Sequence, residues 1–169
     1  VVLPQTTVEI FQYAMANTTS ETGSYTVNWE ELTEFFALDD GAFYQSDLAG
    51  DLKFHGDYMF YLLTSSLAYC PNITSVTIDA YQTYLGQFIF EEDSALQKVE
   101  FNWTTTMAAG LFTGCDSLGK IVFDSTTPVE LSIYGGGSFQ FNYSWTEEEE
   151  AEKLSVQVPE EVVGIYVKK

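Results

Sequence analysis

Between Ala49 and Phe123 the apolar positions fall into a recurring cadence of steps three, three and two. The stretch LFTGCDSLGKIVF, Leu111 to Phe123, shows it best: Leu111 and Phe112 lead to Cys115, and Leu118, Ile121 and Phe123 follow. Upstream, Cys70, Ile73, Val76 and Ile78 repeat it, as do Asp93, Leu96, Val99 and Phe101, while Ala49, Leu52 and Phe54 form a weaker copy. A step of three suits a tight turn packed inward, and a step of two suits a strand with one buried face. The equivalent positions Ala49, Ile73, Leu96 and Leu118 lie 24, 23 and 22 residues apart. A Leu-x-x-Leu-x-Leu core at a period in the twenties predicts a solenoid, in which each rung packs only on its neighbours.

The expected fold is an α/β solenoid: a short leucine-rich-repeat stack with one parallel β-sheet face and helical or irregular arms opposite it. The arms fall on the apolar, turn-poor stretches 57–69, 81–90 and 105–112. Residues 1–47 do not fit the cadence and read as an N-terminal capping segment, and residues 48–169 as the leucine-rich-repeat domain. The cap reads as helical. Thr6 and Glu9 have capping-box spacing ahead of a Val8, Phe11, Met15 stripe, and a second helix starts at Asn28 with Trp29, Leu32, Phe35 and Phe36 as its buried face. A weaker alternative makes Val1–Gln5 a strand lent to a neighbouring subunit. Toward the other end, Gly135–Gly137 form a turn and residues 138–145 an alternating strand, and Glu147–Glu150 start a solvated helix or loop. Leu154, Val156 and Val158, spaced two apart, make a closing strand before Pro159.

The charge balance narrows the function classes. Twenty-five Asp and Glu stand against six Lys and no Arg, for a net charge of −19. Nucleic-acid binding needs a basic footprint that this chain lacks, and an anionic membrane surface would repel it. No apolar run approaches the roughly 20 residues of a membrane span, so membrane insertion is not expected. A start at Val1 rather than Met suggests a trimmed chain. Cys70 and Cys115 occupy the same place in rungs two apart, about 10 Å from each other at a strand spacing of about 4.8 Å. A disulfide needs less than about 7 Å, so two free buried thiols are expected.

Residues between the core positions of each strand should point outward and stack across rungs. They form a candidate ligand-facing strip of Asp51, Lys53, Thr77, Lys98, Glu100 and Lys120, with Ser75 and Val122 between them. The plainer reading of that strip, a soluble salt-bridged sheet, is favoured. Four of the five asparagines stand in Asn-x-Ser/Thr sequons: Asn17, Asn72, Asn102 and Asn142. They are candidate N-glycosylation sites, with polar turn composition as the plainer reading at even weight. His55 is the only histidine and has no nucleophile or ligand at a useful spacing, so no catalytic or metal site is expected, and no cofactor.

LFTGCDSLGKIVF resembles the rung of BspA-like leucine-rich-repeat proteins, and LSVQVPEEVVGIYVKK resembles the way such arrays close, with a last strand, Val158-Pro159 and a short helix carrying Tyr166. The first rung departs, lacking a Cys, and Asp93 stands where the other clear rungs carry Cys. The resemblance implies a secreted or cell-surface solenoid. It brings no catalytic residues. The expected function is a non-catalytic recognition or adhesion module binding protein or glycan, not an enzyme. The alternative is a structural subunit of an extracellular filament or surface layer, self-assembling through exposed ends.

Overall fold

The computed structural model describes residues 1–102, 104–124, 130–131 and 154–158. The expected features at Gly135–Gly137, 138–145, Glu147–Glu150, Asn142 and Pro159 onward lie outside them. Among the described residues nine strands form one all-parallel sheet wound as a solenoid: β1 (Glu9–Ile10), β2 (Ala37–Leu38), β3 (Ala49–Leu62), β4 (Asn72–Leu85), β5 (Lys98–Phe101), β6 (Thr104–Met107), β7 (Lys120–Phe123), β8 (Glu130–Leu131) and β9 (Ser155–Gln157).

The sheet has two faces. The front is built from the first halves of β3 and β4, followed by β5, β7 and β9. The back is built from β1, β2, the second halves of β3 and β4, then β6 and β8. β3 and β4 run through the corner between the faces, where their pairing shifts between Gly56 and Met59.

The expected arms hold no helix: each begins as strand, over 57–62, 81–85 and 105–107, and ends in irregular turns. In 59–62 the inward Phe60 and Leu62 alternate with the more exposed Met59 and Tyr61, and Thr83 and Leu85 repeat that alternation on β4. Period two and a supply of Tyr, Phe and Thr favour a half-buried strand over a helix. Each backbone N–H then bonds the neighbouring rung rather than its own turn.

The helical cap is also absent. Residues 8–17 run as β1 followed by turns, with Tyr13, Met15 and Asn17 donating their N–H groups to the carbonyls of Asp40, Ala42 and Tyr44 in the next rung. Val8 and Phe11 are exposed, and Ile10 is the buried residue. From Asn28 only a single 3-10 turn forms, Trp29–Glu31. Trp29, Leu32 and Phe35 are buried, but a spacing of three serves a tight turn as well as a helix, and Phe36 stays exposed. Within the chain, the Val1–Gln5 segment is tied to the second rung: Leu3 exchanges two hydrogen bonds with the Asn28 side-chain amide, at 2.7 and 3.1 Å.

The core follows the cadence. On the front, Leu52, Val76, Val99 and Ile121 stand side by side, as do Phe54, Ile78, Phe101 and Phe123, all buried. Each such side chain contributes about 1.5–3 kcal/mol by leaving water. Phe101 stacks on Phe123 and Phe90 on Phe112, with centroids 5.5 and 5.6 Å apart. At one end Trp29 packs against Phe35, Phe43 and Phe54. In the first rung of the cadence the buried leucine is Leu48 rather than the expected Ala49, which is only half-buried. The pairing of β3 with β4 also slips by one residue at Gly50–Asp51, leaving Thr74 as the extra residue on β4.

A second regularity lies in the arcs that return the chain from back to front. Tyr13, Gly41, Ser65, Phe88 and Gly110 hold equivalent places and all have φ between 53° and 67°. Four residues on, Asn17, Gln45, Tyr69, Glu92 and Gly114 are left-handed too, with φ from 55° to 76°. Two left-handed residues per arc make the sharp bends. The rings of Tyr13 and Phe88 lie over the α-carbons of Gly41 and Gly110 in the following rung.

Candidate functional site

The front face brings the predicted strip together. Asp51, Ser75, Lys98, Lys120 and Ser155 form one lateral row, and Lys53, Thr77, Glu100, Val122 and Gln157 form the next. Period-two alternation turns these side chains outward while Leu52, Val76, Val99 and Ile121 turn inward. Asp51, Lys53 and Lys120 are exposed, and Thr77, Lys98 and Glu100 are half-buried.

Much of the charge on this face is already engaged. Lys98 Nζ lies 2.6 Å from Glu100 Oε2 on its own strand, and Lys53 Nζ lies 3.1 Å from Glu30 Oε1. Asp51 accepts hydrogen bonds from Thr74 and Ser75, both at 2.8 Å, and these hold its carboxyl below the usual range. His55 falls within β3 rather than past a strand end, exposed, with Nδ1 4.0 Å from Asp79 Oδ2. Among the described residues Lys120 has no ion-pair partner. It stands beside Lys98 on the neighbouring strand. The two form a small basic spot on an acidic protein, the polar group on this face with most capacity for a new partner.

Of the sequons, Asn17 is exposed at the tip of the first arc. The Asn72 amide donates to the Gly23 carbonyl at 3.2 Å, and the Asn102 amide donates to Asp79 Oδ1 at 2.8 Å.

Behind the sheet runs a buried column that pattern reading saw only in part. Ser46, Cys70, Asp93 and Cys115 occupy equivalent places, all essentially without solvent exposure. Both thiols are free, as the rung spacing required. Cys70 donates to the Phe43 carbonyl at 3.1 Å, and Cys115 to the Phe90 carbonyl at 2.9 Å. Burial pushes the Cys70 thiol up to about 12 and raises Cys115 as well, so neither is a reactive thiolate. Asp93 accepts the Cys70 N–H at 2.8 Å through Oδ1, while Oδ2 has no hydrogen-bond partner among the described residues. Burial raises its carboxyl well above the usual range. Among the described residues no cluster of three His, Cys, Asp or Glu could hold a metal ion.

The feature the sequence did not reveal is a groove of about 460 Å³ at the corner between front and back, lined among the described residues by Val8, Phe35, Phe36, Gly56 and Met59 together with the exposed Thr33 and Glu34. Phe36 had been expected inside and Met59 on a helical arm. Both are close to two-fifths exposed. Nothing in a linear period signals it, because it forms where the inward positions change from Phe35 in one rung to Phe60 in the next.

Fold and site together define a parallel leucine-rich-repeat solenoid, an architecture that is typically non-catalytic and used for protein interaction. The family model for the BspA type leucine rich repeat region matches residues 8–143 in six copies. The chain belongs to that family. No curated protein and no solved structure matches the chain.

Proposed function

We propose that this chain is an extracellular or cell-surface recognition module that binds a protein or glycan through its front sheet face, with residues 1–47 closing one end of the core. The carrying observation is the flat, in-register row in which Lys98 and Lys120 stand side by side on adjacent strands. Leucine-rich-repeat surfaces work by presenting such rows, and a basic spot on a chain of net charge −19 would select acidic groups on a partner. Membership of a family often associated with surfaces supports the location. So does the sequon excess, with Asn17 the most accessible acceptor among the described residues. No helix among the described residues is long and apolar enough to cross a membrane. Assembly into a filament would have to bring copies of net charge −19 together, which like-charge repulsion opposes.

The test is an array of extracellular-matrix proteins and sialylated and neutral glycans, probed with labelled chain and with a Lys98→Glu/Lys120→Glu variant. Binding to particular spots by the wild type, lost in the variant, is the expected result. The same spots bound equally by both would remove the front face from the reading.

A further inference from the structure

We propose that the corner groove is a second binding site, separate from the front face, for a peptide segment that inserts one aliphatic or aromatic side chain beside a Lys or Arg.

Its walls supply the apolar half of that match. Val8, Phe36 and Met59 are large side chains left 42%, 39% and 38% exposed around a concave space, next to the buried ring of Phe35. A cleft of about 460 Å³ is the size that receives one or two side chains rather than a flat partner surface. Met59 adds an unbranched, polarizable wall that adapts to differently shaped anchors. The apolar exposure continues onto the back face, where Tyr61 and Tyr84 sit 6.1 Å apart and Tyr84 is about half exposed.

Charge supplies the other half. Glu34, one of the lining residues, is exposed and has no ion-pair or hydrogen-bond partner among the described residues. Two acids of the same segment are already engaged: Glu30 holds Lys53 and Glu31 accepts from Asn28. Among the described residues no lysine lines the groove. An open carboxylate beside an apolar slot, on a chain of net charge −19, attracts a cation and repels a second copy of itself or an acidic segment. Front face and groove would then select opposite charges, the front by Lys98 and Lys120 and the corner by Glu34.

The experiment uses the full chain and three fluorescein-labelled ten-residue peptides in a Gly/Ser background. One carries Lys-Leu-Phe-Lys at its centre, one replaces Leu and Phe by Ser, and one replaces both Lys by Glu. Titration by fluorescence anisotropy should show the first binding about tenfold or more tighter than either control. Glu34→Gln should weaken it several-fold and flatten its salt dependence. Phe36→Ser and Met59→Ser should each weaken it further, with thermal melting confirming that they fold. The Lys98→Glu/Lys120→Glu variant should bind this peptide as well as the wild type does, which separates the groove from the front-face reading. Equal binding of all three peptides would overturn the proposal, as would full affinity in Glu34→Gln. Sedimentation showing a dimer abolished by Phe36→Ser would overturn it too, by assigning the groove to a second copy.

Discussion

At the scale of single residues, the left-handed arcs are where small changes should have opposite signs. Gly110 has φ +67°, and a Cβ there would sit 2.5 Å from the Phe88 ring. Gly110→Ala is expected to destabilise by about 2 kcal/mol through strain and clash together. Ser65 holds the equivalent place with φ 53°, and Ser65→Gly should stabilise by about 0.5–1 kcal/mol by relieving that conformation. Urea denaturation midpoints check both. Asp93 is the residue whose effect depends on pH. Its folded carboxyl lies above the unfolded value of 3.8, so the native state keeps a proton that the unfolded chain gives up. Its contribution is full below that unfolded value and is lost as pH rises through the raised folded one. Asp93→Asn keeps an acceptor for the Cys70 N–H and cannot ionise. Its advantage over the wild type should be small at pH 4 and grow to about 1–3 kcal/mol at pH 8. Parallel urea curves at the two pH values measure it, and a constant difference would mean Asp93 is charged in the fold.

At the scale of elements, stability is shared between neighbours. β5 lies between β4 and β7, and β7 between β5 and β9. A charge placed under either strand has no partner to reach. Leu96→Asp and Ile121→Asp each replace a buried ladder residue, and each should cost more than about 3 kcal/mol, enough to unfold a domain of ordinary stability. Far-ultraviolet circular dichroism and melting would show it. Wild-type melting in Ile121→Asp would contradict the pairing of Ile121 with Val99. The same logic explains the strands on the back face: once β3 and β4 resume pairing at Met59 and Gln82, beyond the shift at the corner, their N–H and C=O groups are satisfied across rungs, and a helix would have to break that ladder.

At the scale of the whole molecule, the surplus of nineteen negative charges acts on every rung at once. The two lysine–carboxylate pairs among the described residues do little to offset it, since exposed pairs contribute about 0–1 kcal/mol each. Screening the self-repulsion should therefore stabilise the fold. Raising sodium chloride from about 10 mM to about 150 mM shortens the screening length from about 30 Å to about 8 Å and should raise the melting temperature. Differential scanning calorimetry checks it, and an unchanged melting temperature would mean the acids are spaced too widely to repel.

The linear pattern by itself determined the solenoid, the parallel front sheet, its inward ladder and its outward row, because a side chain's direction on a strand follows from its position in a period of two. It also determined the two free thiols, since rung spacing alone separates Cys70 from Cys115. The back face was legible in principle, in the alternation from Met59 to Leu62, but short apolar runs suit helix and strand alike. Only tertiary structure decided between them, because the neighbouring rung supplies the hydrogen-bond partners. The N-terminal path was hidden for the same reason: Trp29, Leu32 and Phe35 are spaced for either a helix or a tight turn, and the packing of Trp29 on Phe54 selects the turn. The left-handed arcs left a partial trace in Gly110 and Gly114, yet Tyr13, Ser65 and Phe88 take the same conformation with no local signal. The corner groove left none, since it arises from a mismatch between adjacent rungs that exists only once they are stacked.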